Sequence, residues 1–111
     1  MEKVAPYREY VQKLLNQYAA DDLSNDEVEV QLIFDTERHH YQWMNVGWEE
    51  FNRIYRCIVH LDIKDGKIWL QQNLTDRNPA DELVEMGVPR EDIVLGLQPP
   101  FKRQYSEYGA A

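Results

Sequence analysis

Apolar and polar residues alternate most cleanly over residues 53–72, RIYRCIVHLDIKDGKIWLQQ. A period of two marks strands, because successive side chains leave opposite faces of a sheet. Two such runs meet at Asp65-Gly66. A type I′ turn needs positive φ at both central positions, and glycine accepts that freely. With the turn placed there, Lys64 faces Lys67, Ile63 faces Ile68 and Leu61 faces Leu70. Regular alternation adds Val59 and Cys57 to this apolar face. The other face then carries Ile54, Arg56, Ile58, His60, Asp62, Trp69 and Gln71. One face belongs to a core, and the mixed one is half-solvated or covered by a partner.

Upstream, residues 6–20 repeat apolar side chains at helical spacing: Tyr7, Val11, Leu14 and Tyr18, with Leu15 widening the stripe. Pro6 suits a first turn, where its missing N–H costs nothing. Residues 27–35 alternate again, with Val28, Val30, Leu32 and Phe34 on one side and Ile33 as the exception. Residues 36–39 are polar and turn-like. Residues 41–48 form a second strand rich in Tyr41, Trp43, Val46 and Trp48. Gly47 within it marks a bulge or a close backbone approach.

Downstream, Asn78-Pro79 starts a helix, with Asn as N-cap, Pro at the first position and Asp81-Glu82 in the first turn. Gly87 stops it, with Val88 as the apolar contact beyond. Pro89 opens a short turn over Arg90–Asp92, and Gly96 to Pro100 breaks regular structure. The tail from Phe101 packs its aromatics loosely or frays. The fold expected is α+β in a single domain, residues 1–111. An antiparallel sheet of about four strands, as two consecutive hairpins, is packed by an N-terminal helix and a short C-terminal helical region.

Charge narrows the function classes. The 111 residues carry a net charge of −8, and the longest basic run is Lys102-Arg103. Phosphate binding needs clustered Lys and Arg, so direct nucleic-acid binding is not expected. Five acidic and no basic residues fall between Asp21 and Glu29, a solvated loop leading into a strand. The single cysteine, Cys57, allows no internal disulfide, and a cytoplasmic setting is expected. No apolar run approaches the ~18 residues of a membrane span, and the N-terminus lacks the apolar centre of a signal peptide.

Candidate chemistry is sparse. His39 and His40 are adjacent, so on a strand they face opposite ways and do not converge on a metal. His60 and Asp62 share one strand face, where a carboxylate can orient an imidazole. A structural hydrogen bond is the simpler reading, since Trp69 and Gln71 across the hairpin offer neither nucleophile nor electrophile. Cys57 is expected as an inert core thiol. Asp35 with Arg38 stabilises the first turn more readily than it holds a divalent ion. Glycines 66, 87 and 96 are isolated, so no phosphate cradle exists. No catalytic, metal or cofactor residues are assigned. Trp43, Trp48 and Trp69 all lie on strands, and a chain this small cannot bury every aromatic ring. Together with His60 and Asp62 they are the candidate partner-binding residues.

Several strings coincide with one family. They are LIFDTERHHYQWMNVGW (residues 32–48), HLDIKDGKIWLQ (60–71), ADELVEMGVPREDIVLGLQPP (80–100), YSEYGAA (105–111) and the N-terminal YREYVQKLL. In order and spacing they resemble the XisI-like family, named for the controlling factor for excision of the fdxN DNA element in cyanobacteria. The resemblance spans essentially the whole chain and implies a small α+β domain without assigned catalytic residues. It implies an accessory role in site-specific recombination, with a XisH-like protein and a site-specific recombinase as partners.

Two readings follow. One is a non-catalytic controlling protein that docks onto a partner through its sheet face and acidic rim, or onto a second copy, since twofold homo-oligomers are common. The other is a small-ligand-binding protein or hydrolase-type enzyme using His60 and Asp62. Under either, a gel-shift titration at low salt is expected to leave duplex DNA unretarded; a saturable shift would contradict the charge argument.

Overall fold

The computed structural model describes residues 4–22 and 27–110. Helix α1 (Val4–Asp21) is followed by strands β1 (Val28–Asp35), β2 (His40–Glu49), β3 (Asn52–Lys64) and β4 (Lys67–Asn73). Then come α2 (Pro79–Met86), a 3-10 turn (Arg90–Asp92), β5 (Ile93–Leu95) and α3 (Pro100–Arg103). Asp26, within the acidic run, lies outside the described residues.

The helical stripe of α1 is the buried one: Tyr7, Val11, Leu14, Leu15 and Tyr18 all sit in the core. It packs on one face of the sheet, where Tyr41, Trp43, Val59, Leu61, Ile63, Ile68, Leu70 and Ile93 are buried. Helix α2 adds Ala80 and Leu83. Its start and stop follow the expected chemistry. Asn78 Oδ1 accepts the Asp81 N–H at 3.2 Å, and the Val88 N–H reaches the Leu83 carbonyl at 3.1 Å.

The sheet runs β1-β2-β3-β4-β5, and the first four strands are antiparallel neighbours as expected. Asp65 and Gly66 have φ of 55° and 75°, which makes the tight turn. Lys64 faces Lys67, Ile63 faces Ile68 and Leu61 faces Leu70. The fifth strand is an addition to the expected sheet. Ile93–Leu95 is too short to show a period, and it pairs in parallel with Ile68–Leu70 of β4. The tail is also better anchored than expected. Gly109 bridges to Val94, its N–H donates to the Ile93 carbonyl at 2.7 Å, and Tyr108 donates to Asp81.

Two bulges break the simple alternation, one in β3 and one in β4. Val59 opposes Trp43, yet Cys57 opposes Met44, so Ile58 is an extra residue on β3. Leu61 opposes Leu70, yet His60 opposes Gln72, so Gln71 is extra on β4. The first bulge corrects the expected faces. Cys57 does not share the core face of Val59 and Leu61; it is half-buried on the outer face beside Gln42. Ile58 is buried, and Tyr55 rather than Ile54 or Arg56 points outward with Val46.

Gly47 is a close approach. A Cβ there would stand 2.0 Å from the Glu27 carbonyl oxygen, which accepts the Trp48 N–H at 3.0 Å. Gly47→Ala is expected to cost roughly 1–3 kcal/mol through this clash. Urea unfolding reads it out as a lowered midpoint, and an unchanged midpoint would contradict the close approach.

Candidate functional site

The outer face of the sheet, opposite α1, brings together the ionisable side chains of interest. His40 is placed by the turn before it. The Asp35 carboxylate accepts the Glu37 and Arg38 N–H groups, each at 3.0 Å, and the Arg38 guanidinium at 3.2 Å. The Arg38 N–H leads in holding the Asp35 carboxyl below its ordinary range. His39 closes the turn with φ of 62°. Its ring goes to the Tyr41 hydroxyl, 3.2 Å away, so the two adjacent histidines do point apart as expected.

His40 then opens β2 directly opposite Asp62. The Ile63 N–H reaches the His39 carbonyl at 3.0 Å, which makes His40 and Asp62 a non-hydrogen-bonded cross-strand pair, the kind whose side chains approach most closely. His60 lies two residues before Asp62 on the same face. His40 Nδ1 stands 2.8 Å and His60 Nε2 2.7 Å from the same Asp62 Oδ1. A carboxylate only accepts, so both ring nitrogens carry a proton when these bonds form. The second oxygen, Oδ2, accepts from Gln71 Nε2 at 3.1 Å. The expected His60–Asp62 bond is therefore present. His40 and Gln71 complete the cluster, and the expected pairing did not include them.

Burial works to raise the Asp62 carboxyl, but the bonds from His40, Gln71 and His60 outweigh it and hold the group below its usual range. The Asp62 side chain is 15% exposed, His60 26% and His40 52%, so solvent reaches the cluster from the His40 side. Cys57 sits on the same face, and burial pushes its thiol up, away from thiolate. A separate shallow groove, lined by Glu9, Gln12, Lys13 and Asn16, follows the solvent side of α1 and lies on a different element from this cluster.

The three tryptophans have different fates. Trp43 is 6% exposed, meets Tyr18 edge-on and donates to Asn45 at 2.9 Å, so it belongs to the core and not to an open face. Trp69 is on the outer face but clamped between Lys64 and Arg103, at 4.7 and 5.3 Å from its ring. Trp48 is half exposed, with Arg53 over it at 5.5 Å. Near Trp48 stand Phe51 and Tyr55, both strongly exposed, at the end of the β2–β3 hairpin. Alternation that ignored the Ile58 bulge turned Tyr55 inward and hid this aromatic group.

The depressed Asp62 group has a signed consequence for stability. The unfolded chain takes up this proton first as pH falls. Stability is therefore present above the ordinary aspartate range and is lost as pH drops through the folded value. Urea unfolding between pH 5 and pH 2.5, roughly the window of carboxylate titration, should show a shallower acid loss for Asp62→Asn than for the parent chain. Parallel curves would contradict the assigned bonds.

The XisI protein family profile matches residues 1–110. A crystal structure of a XisI-like protein from Anabaena variabilis is 74% identical, with a TM-score of 0.94, covering 97% of this chain and 99% of that one. Another, of the fdxN element excision controlling factor XisI from the same organism, is 33% identical with a TM-score of 0.86, covering 99% of this chain and 100% of that one. No curated protein matches the chain. Among the described residues no helix is long and apolar enough to cross a membrane. With an α+β fold, a whole-length family match and a relative at 74% identity, the chain belongs to the XisI family.

Proposed function

We propose that this protein is a non-catalytic accessory factor of the cytoplasm that controls excision of a DNA element by binding other proteins. The solved relative named as the fdxN element excision controlling factor supports the excision role. A XisH-like protein is the proposed direct partner, with a site-specific recombinase acting downstream.

The observation that carries a docking role is the free end of the β2–β3 hairpin. Strand β4 pairs with β3 only from Val59 onward, so residues 52–56 have no strand partner on that side among the described residues. Beside this edge stand Trp48, Phe51 and Tyr55, which are 50%, 97% and 69% exposed. Large aromatics next to unpaired backbone are the ingredients of interface anchoring and strand addition. The excess of acidic residues makes a partner with a basic or mixed surface the natural complement.

The same open edge also favours pairing with a second copy of the chain. The enzyme reading is less well supported. It draws on His60 and Asp62, but their polar contacts are to each other, His40 and Gln71, and the neighbouring thiol is held protonated.

Co-purification with a XisH-like protein tests the proposal. The complex should weaken as salt rises. Trp48→Ala and Tyr55→Ala should each weaken it by about tenfold or more, the scale of interface anchors. Absence of any complex, with a monomeric chain by light scattering, would overturn it.

A further inference from the structure

We infer that His40, His60 and Asp62 form a binding site for a divalent transition-metal ion of the Zn²⁺ class. The three ligand atoms lie within 4.8 Å of one another. Two are imidazole nitrogens and one is a carboxylate oxygen, a donor set that suits zinc and its neighbours. All three side chains stand on paired strands, so the backbone presents them together without ordering a loop.

The geometry is near what coordination demands. Ligand atoms bound to zinc at about 2.0–2.1 Å in a tetrahedral arrangement sit about 3.3 Å apart. The two imidazole nitrogens now stand 2.8 and 2.7 Å from Asp62 Oδ1. Each nitrogen moves out from the carboxylate oxygen by about half an ångström, and the two nitrogens, within 4.8 Å of each other, come to the same tetrahedral spacing, an adjustment open to the half-exposed His40 ring. When the ion enters, each ring gives up the proton on the nitrogen that faces Asp62 and carries one on its other nitrogen instead, a tautomer shift exchanged through solvent that leaves both imidazoles neutral ligands. Gln71 Nε2 remains on Asp62 Oδ2 and fixes the carboxylate with its other oxygen toward the ion. Such a partner behind a ligand is what orients it. Three protein donors leave a fourth position open toward solvent, free for water or for a donor from a docked chain.

The site stands apart from the docking proposal, because metal binding is read on the isolated chain. Tag-free, metal-free protein is titrated with Co²⁺, followed by its visible ligand-field absorption, and with Zn²⁺ by calorimetry. One ion per chain is expected, with a rise in thermal midpoint at excess metal. His60→Ala, His40→Ala and Asp62→Asn should each weaken binding by at least about tenfold, and Gln71→Ala by about 10–100-fold. His39→Ala should leave it unchanged, since that ring is turned toward Tyr41. Circular dichroism confirms that each variant is folded; His40 is exposed enough to be replaced without disturbing the core. Absence of saturable one-to-one binding would overturn the assignment. So would binding that survives His40→Ala and His60→Ala, or that disappears with His39→Ala.

Discussion

One extra residue in β3, Ile58, decides which side chains meet on both faces of the sheet. Below it, the pairing set by the β2–β3 turn brings Cys57 to Met44. Carried upward unbroken, that pairing would put His40 against Leu61 and Tyr41 against His60. Each strand would then send one polar and one apolar side chain to the same face. Burying His60 and Asp62 beneath α1 would cost several kcal/mol, and exposing Val59 and Leu61 would forfeit roughly 1.5–3 kcal/mol each. A bulge avoids both at once, because a one-residue shift exchanges the faces of everything beyond it. Tyr41 and Trp43 then share the core with Leu61 and Val59, and His40 faces Asp62 outside.

The helices and the C-terminal segment are tied to one another by tyrosines that donate to carboxylates. Tyr7 of α1 donates to the buried Asp92, and Tyr18 donates to Glu82 of α2. Burial first, then the adjacent carboxylate, pushes both hydroxyls far above their ordinary range, so they remain donors at any physiological pH. Arg77 lies over the Tyr18 ring at 3.9 Å and reaches Asp21 and Glu82, each at 3.1 Å. Tyr108 repeats the motif on Asp81. Part of the acidic excess thus serves to join the C-terminal segment to the helices, and not only to repel nucleic acid.

Local rules made much of the fold legible. The Asp65-Gly66 turn, the stripe of α1 and the Asn78-Pro79 helix start each rest on residues within a few positions of one another. So does the bond from His60 to Asp62. What stayed hidden depends on long-range pairing. Period-two reading assigns Cys57 to the core because it has no term for an inserted residue, and no local residue marks Ile58 as the bulge. His40 was missed as a neighbour of Asp62 for the same reason, being 22 positions away in sequence. The three residues of β5 carry no period, and only the edge of β4 makes them a strand. Trp43 and Trp48 belong to one strand, and tertiary packing alone separates the buried ring from the exposed one.

The proposed docking role draws on membership of the XisI family and on a strand edge that, among the described residues, is unpaired and flanked by aromatics. The polar cluster depends on the register beyond Ile58, which sets His40 opposite Asp62. Proton NMR measures that register directly, because a non-hydrogen-bonded antiparallel pair brings its two Hα atoms into close contact. A strong Hα–Hα cross-peak between His40 and Asp62 is the result predicted by the bulge. Cross-peaks that place His40 opposite Leu61 would contradict it.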